Sequence, residues 1–152
     1  TIGLRYFNVF GPSQDPNGVY AAAIPKFLDK MVNGGQITIN GDGEQTRDFT
    51  YVKNAVLANL MALLSSNDSA YGEAFNVACG DSFSLNILIE ILQKRLKELG
   101  KLNSNLTVEF GPPRNGDIPH SLANISKIQS LLGYEPLYYF EEGVKEYLES
   151  LA

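Results

Sequence analysis

Leu4-Arg5-Tyr6-Phe7-Asn8-Val9-Phe10-Gly11-Pro12 is the stretch on which the reading of the fold turns. Residues 2 to 6 read as a short apolar strand. Gly11-Pro12 and the following Asp15-Pro16-Asn17-Gly18 are strong turn chemistry. A strand that runs out into a polar loop is where α/β sheets place their ligand crevices. Asn8 stands at that point. Its amide suits a phosphate oxygen, or it caps the turn at Gly11; spacing alone leaves both open.

Outward from this stretch, the pattern alternates between strands and helices. Ala21 to Val32 reads as a helix, with Pro25 in its first turn, where a missing N–H costs little. Its apolar residues Ile24, Phe27, Leu28 and Met31 recur at helical spacing, and Gly34-Gly35 stops it. Gln36 to Asn40 alternates as a strand, and Gly41-Asp42-Gly43 turns the chain. Phe49, Tyr51 and Val52 predict a strand leading into a helix from about Asn54 to Leu64. Glu73 to Ala78 is a further strand. Ser84 is placed to cap a helix from Leu85 to Leu99, with Gly100 as its stop. Leu106 to Phe110 alternates as a strand, and Gly111 to Pro119 is a Gly/Pro-rich loop. Two helices close the chain, Ile125 to Leu132, with Asn124 as candidate cap, and Glu141 to Leu151. The order is that of an α/β protein, read as one unit over residues 1–152.

The composition narrows the function. A net charge of −5 argues against nucleic-acid binding, which needs a basic surface. No apolar run approaches the roughly 20 residues that span a bilayer. Cys79 is the single cysteine and His120 the single histidine, so neither a disulfide within the chain nor a His/Cys metal site is expected. A reducing compartment, the cytoplasm, is the expectation. Cys79, following an apolar run, reads as a buried structural thiol.

Four arginines are present. Arg95, beside Lys94 and Lys97, reads as part of a solvated helix face, and Arg5 as a strand residue in packing or an ion pair. Arg47 and Arg114 differ, because each follows a Gly-containing turn, and loops on rigid scaffolds concentrate binding residues. The planar guanidinium matches phosphate oxygens, and two converging would suit a diphosphate. Alternatively each pairs with a nearby carboxylate, Asp48 or Asp117. Asp117 is a turn-former or an acceptor for a ribose hydroxyl. Ser121 beside His120 makes no nucleophile elbow, since no Gly-x-Ser-x-Gly surrounds it. Tyr138 and Tyr139 read as packing or interface residues.

Taken together these segments resemble the extended short-chain dehydrogenases that act on nucleotide sugars. Leu4 to Pro12 is similar to one signature of that family. Ile39-Asn40-Gly41-Asp42-Gly43-Glu44-Gln45-Thr46-Arg47-Asp48-Phe49-Thr50-Tyr51-Val52 is similar to a second, Phe75-Asn76-Val77-Ala78 to a third, and Pro113-Arg114-Asn115-Gly116-Asp117-Ile118-Pro119-His120-Ser121 to a fourth. They fall in family order, nearest in likeness to bacterial UDP-N-acetylglucosamine 4-epimerases. The resemblance implies the C-terminal, substrate-binding part of such an enzyme, with the last strands of a Rossmann sheet and a small mixed α/β lobe. It implies that Asn8, Arg47 and Arg114 contact the diphosphate, Asp117 the ribose, and the backbone around Ala22, Ala23, Thr38, Ile39 and Asn40 the uracil. The resemblance also implies that Phe7 lies by the nicotinamide of NAD. In the family that the chain resembles, the position seven beyond the loop arginine borders the sugar C2 substituent. Here it is Ser121, small enough to admit an N-acetyl group. Phe27 and Thr38 stand where relatives often carry larger aromatics, so a different uracil pocket is expected.

The same resemblance defines what to look for elsewhere. The family's chemistry needs a Gly-rich dinucleotide turn and a proton-transferring tyrosine with a lysine four residues on. None of the eight tyrosines has that lysine. Gly41-Asp42-Gly43 is the only Gly-x-Gly, with Thr46 in place of a third glycine. The chain also opens without Met, already in strand pattern. The expectation is an incomplete enzyme whose NAD-binding part lies upstream, whose full-length parent is a homodimer binding a UDP-sugar, and which is inactive alone. A UDP-glucuronate decarboxylase, a dTDP-glucose 4,6-dehydratase, a sugar-nucleotide-binding module without catalysis, and an interaction domain of the same descent are the competing readings.

Overall fold

The computed structural model describes residues 1–17 and 23–150. Its elements run β1 (Gly3–Tyr6), β2 (Val9–Phe10), α1 (Ala23–Asn33), β3 (Gly35–Asn40), β4 (Thr46–Arg47), β5 (Thr50–Tyr51), α2 (Val52–Leu64), β6 (Ala74–Val77), β7 (Phe83–Ser84), α3 (Leu85–Glu98), β8 (Leu106–Gly111), α4 (Ser126–Leu132) and α5 (Phe140–Glu149). The strands pair two by two: β1 with β6, β2 with β5 and β3 with β8 in parallel, β4 with β7 antiparallel. This is the expected α/β architecture. Parallel pairs need crossover connections, and α1, α2 and α3 lie within them.

Where the sequence pattern is long, the elements follow it. Ile24, Phe27, Leu28 and Met31 are the buried face of α1, and Ile37 and Ile39 the buried face of β3. Ser84 caps α3, its hydroxyl accepting from the Ile87 N–H at 3.2 Å, and Gly100 follows the helix end at φ +66°. Asn124 accepts from the Ser126 N–H at 2.9 Å in a turn just before α4, but the cap position itself is Ile125, one residue later than expected, because the helix starts at Ser126.

The departures have physical causes. Helix α2 starts at Val52, two residues before the expected Asn54. Asn54 is fully buried, and its carbonyl oxygen accepts from the Leu137 and Tyr138 N–H groups while its amide donates to the Tyr138 carbonyl at 2.6 Å. It anchors the segment leading into α5 rather than marking a helix start. The two-residue strands β2, β4 and β7 are too short to leave any alternation in sequence; they exist because distant partners align them. Helix α5 starts one residue early, because Phe140 belongs to the core, and Leu151 lies outside the described residues.

Two apolar clusters organise the molecule. The first joins α1, α3 and α5 to the inner face of β3, with Phe140 at its centre against Phe49, Phe83 and Phe10 at ring separations of 5.3, 4.6 and 5.8 Å. The second packs Phe75 and Val77 of β6 against Ala58, Ile128 and Tyr134. Tyr134 is fully buried, and its hydroxyl donates to the Ala78 carbonyl at 3.0 Å. Gly143 lets α5 press onto β5: a Cβ there would stand 2.7 Å from Tyr51 Cβ. Among the described residues no helix is long and apolar enough to cross a membrane.

Candidate functional site

The site is built on the short strand β4. The β2–β5 pair sets Val9 beside Thr50, which brings Asn8 to Asp48. There the Asn8 amide donates to the Asp48 carbonyl at 2.9 Å, with the Asn8 backbone at φ +36°. On its other side β4 receives the C-terminal loop: the Thr46 N–H donates to the Pro119 carbonyl and the Ser121 N–H to the Thr46 carbonyl, at 2.9 and 3.1 Å. Asn8, Arg47 and the loop bearing Arg114, Asp117 and Ser121 thus meet at one two-residue strand.

Arg47 donates to the Asp117 carboxylate at 2.5 Å and to the Thr46 carbonyl at 2.8 Å. Of the two carboxylates open as its partner, Asp117 is the one it meets. Asp48 instead lies wholly buried, accepting from the N–H groups of Cys79, Gly80 and Ala123 at 3.0, 3.0 and 3.3 Å. Burial lifts its carboxyl above the usual aspartate range, and the three donors pull it partly back. Arg114 is exposed and makes no ion pair among the described residues.

A cavity of about 310 Å³ opens between the turn after β3 and the C-terminal loop, lined by Asn40, Asp42, Glu44, Arg114, Asp117 and His120 among others. That is the lower end of the range for small-molecule sites. Its turn wall is held from α3: the Asn86 amide donates to the Asp42 carbonyl at 3.0 Å and to the Glu44 carboxylate at 2.6 Å. Gln45 fastens the same turn by donating to the Asn40 carbonyl at 2.7 Å. Asn86 is a residue that sequence reading passed over, and Asp48 one that it read only as a possible ion-pair partner. Asp48 had a signal, standing between Arg47 and Phe49 in a recognised segment; Asn86 had none.

The other expected positions are more dispersed. Thr38 is exposed on the outer face of β3 and borders a separate hollow with Lys26, Phe27 and Lys30. The Ile39 side chain is in the core, so only its backbone faces outward. Ala23 packs against the core at the start of α1, and Ala22 lies outside the described residues. Phe7 is half-buried at the end of β1, its N–H donating to the Val77 carbonyl. Ser121 is half-buried beside Thr46; it is not itself among the residues lining the cavity, but its neighbour His120 is. Tyr138 packs edge-on against Tyr51 at 5.2 Å, and Arg95 bridges α3 to α5 through Glu141 at 3.5 Å.

Cys79 is buried. Its thiol donates to the Tyr138 carbonyl, and burial foremost, with Asp48 nearby, pushes it up to about 12. No group of three His, Cys, Asp or Glu gathers as a metal site among the described residues. A dinucleotide does not fit the one Gly-x-Gly turn: a Cβ on Gly43 would stand 2.1 Å from Asn86 Oδ1, so that face is filled by α3. No helix begins directly after that turn to receive a pyrophosphate.

Comparison with known proteins places this geometry. A UDP-N-acetylglucosamine 4-epimerase from Methanobrevibacter ruminantium, solved with UDP-N-acetylmuramic acid, is 42% identical, with a TM-score of 0.84 over 99% of this chain and 45% of its own. UDP-glucuronate 4-epimerase 1 of Arabidopsis thaliana is 34% identical over 96% of this chain and 35% of its own. A UDP-N-acetyl-alpha-D-glucosaminuronate decarboxylase of Bacillus cytotoxicus is 29% identical over 96% of this chain and 44% of its own. The chain therefore spans less than half the length of these relatives. Residues 1–78 match the sequence model of the NAD dependent epimerase/dehydratase family, and the chain belongs to that family.

Proposed function

We propose that this chain holds the UDP-sugar of a 4-epimerase acting on UDP-N-acetylglucosamine and UDP-glucose, which interconverts gluco and galacto forms through a 4-keto sugar. Arg47, Arg114 and Asn8 bind the diphosphate, Asp117 the ribose, and Ala22, Ala23 and the backbone of Thr38 to Asn40 the uracil. Ser121 leaves space for the C2 N-acetyl group. NAD, when bound, supplies the hydride acceptor for the sugar carbon. Its site, the proton-transferring tyrosine and lysine, and the dimer contacts belong to the remainder of a full-length, cytoplasmic homodimer, with Phe7 reaching the nicotinamide. The chain alone is inactive, because a sugar nucleotide held without hydride acceptor or base does not react.

One observation carries the reading. The Arg47–Asp117 contact joins two recognised segments across 70 residues of sequence and sets Arg47 against Asp117, which lines the cavity together with Arg114. Arginine forks at a cavity edge suit phosphate oxygens. The test is calorimetric titration of UDP into the 152-residue chain and its Arg114→Ala variant. Loss of one charge-assisted contact should weaken binding by about tenfold or more. Equal affinity would remove the phosphate role of Arg114, and turnover of UDP-N-acetylglucosamine by the isolated chain with NAD would overturn its inactivity.

A decarboxylase is the second reading, favoured by the likeness to the Bacillus cytotoxicus protein. It would use the same grip on the nucleotide. Product analysis of the full-length enzyme with a UDP-uronate separates the two: loss of carbon dioxide, or a change of configuration alone.

A further inference from the structure

We infer that Asp48 is a positioning residue of the nucleotide grip, holding Asn8 and Arg47 in register with each other and with the C-terminal loop. The inference rests on the proposed UDP-binding reading and adds to it a residue that touches no ligand.

Strand β4 is two residues long and cannot hold a side chain in place by its own ladder. What fixes it is the next residue. The side chain of Asp48 is fully buried, and no cation pairs with it among the described residues. Oδ1 accepts from the Cys79 N–H; Oδ2 accepts from the Gly80 and Ala123 N–H groups. Two of these donors stand at the end of β6 and the third two residues beyond Ser121. One carboxylate therefore ties β4 to the parallel β1–β6 pair and to the loop of Arg114 and Asp117. Its own carbonyl accepts from the Asn8 amide, which orients that amide.

A carboxylate is the side chain suited to this place. It offers two oxygens that only accept, and all three neighbours only donate. An Asn is the same size, but its NH2 would face an N–H, whichever way the amide turns. A buried anion without a cation is also a costly way merely to join loops, since burial disfavours the charge. The arrangement is accounted for by what the tie aligns: Asn8 on one side, Arg47 directly before it, and Ser121 two residues before Ala123. Gly80 contributes a backbone at φ +73° that turns its N–H to the carboxylate.

The experiment compares UDP with uridine, which lacks the phosphates, by titration into the wild-type chain, Asp48→Asn and Ala123→Pro. The proline removes one donor and leaves the carboxylate intact. Circular dichroism sets a temperature at which each variant is folded. The expected result is a loss of UDP affinity of about tenfold in Asp48→Asn, a smaller loss in Ala123→Pro, and a uridine loss of no more than about threefold, through the Asp117 contact alone, a tenfold change being about 1.4 kcal/mol. A purely structural role would move both ligands together. Equal losses for UDP and uridine, unchanged UDP affinity in folded Asp48→Asn, or unchanged UDP affinity in Ala123→Pro should Asp48→Asn not fold, would each overturn the inference. A wild-type chain that does not bind UDP would instead overturn the reading beneath it.

Discussion

The guanidinium of Arg47 and the carboxylate of Asp117 form one ion pair, although 70 residues separate them. Their side chains are 18% and 35% exposed, so the pair is screened by water and contributes little to stability, about 0.2–1 kcal/mol. Asp117→Ala should therefore shift the melting temperature only slightly while weakening UDP binding. A double-mutant cycle with Arg47→Ala, read by UDP titration, should show the two residues coupled by more than about 0.5 kcal/mol. Strictly additive effects would mean that they act independently.

Thr50 presents the reverse case. Its hydroxyl is fully buried in β5 and finds no hydrogen-bond partner among the described residues. A buried unsatisfied group costs about 1–3 kcal/mol. Thr50→Val keeps the β-branched shape and removes that cost. We expect a rise in melting temperature of about 2–4 °C for each kcal/mol recovered in a chain of this size. A fall, seen by calorimetry or circular dichroism, would show that the hydroxyl has a role in the folded chain.

Cys79 should behave as an inert thiol. With its folded value pushed up to about 12 from an ordinary 9.0, the native chain carries almost no thiolate at neutral pH. Alkylation by iodoacetamide should be slow in the native chain and rapid once denaturant is added. The sign for stability follows from linkage. Below pH 9 both states hold the proton and the group contributes no pH dependence. Between 9 and 12 the unfolded thiol ionises and the folded one does not, so stability falls as pH rises. Cys79→Ala should flatten that alkaline slope in denaturant melts.

Gly43 is required by Asn86 and by its own backbone, at φ +80° with Asn86 Oδ1 only 2.1 Å from where a Cβ would stand. Gly43→Ala should destabilise the chain by about 1–2 kcal/mol from the left-handed backbone alone, with the clash added. In an Asn86→Ala background the clash disappears, and the same substitution should cost only the backbone share. Equal costs in both backgrounds, measured by urea melts, would show that Asn86 does not press on the turn.

Ser121 is the predicted gate for the sugar. In the full-length enzyme, Ser121→Tyr should depress turnover of UDP-N-acetylglucosamine far more than that of UDP-glucose, because a bulky ring excludes the larger C2 substituent. Parallel changes in kcat/KM for both sugars would refute this role.

Much of the fold was legible because its main elements are long enough to carry a period. Helix α1 announced its buried face through Ile24, Phe27, Leu28 and Met31, and α3 its start through Ser84. The candidate site was legible in parts: Arg47, Arg114, Asp117 and Asn8 could each be named. Their relation could not, since in every case two partners remained open. Asp48 looked like a possible partner for an arginine and is instead a buried acceptor of three N–H groups. Asn54 looked like a helix start and is an anchor for the segment before α5.

By itself, the sequence determined the α/β class, the order of the longer elements, the buried faces of the long helices and the family, because these rest on local periodicity and contiguous segments. Only the tertiary structure decided which carboxylate Arg47 meets, that β4 exists at all, and that one buried aspartate joins three distant segments. Those outcomes depend on β2 pairing with β5 and on the C-terminal loop docking against Thr46. Contacts of that kind join residues 40 to 75 positions apart, a range over which spacing along the chain carries no geometric information.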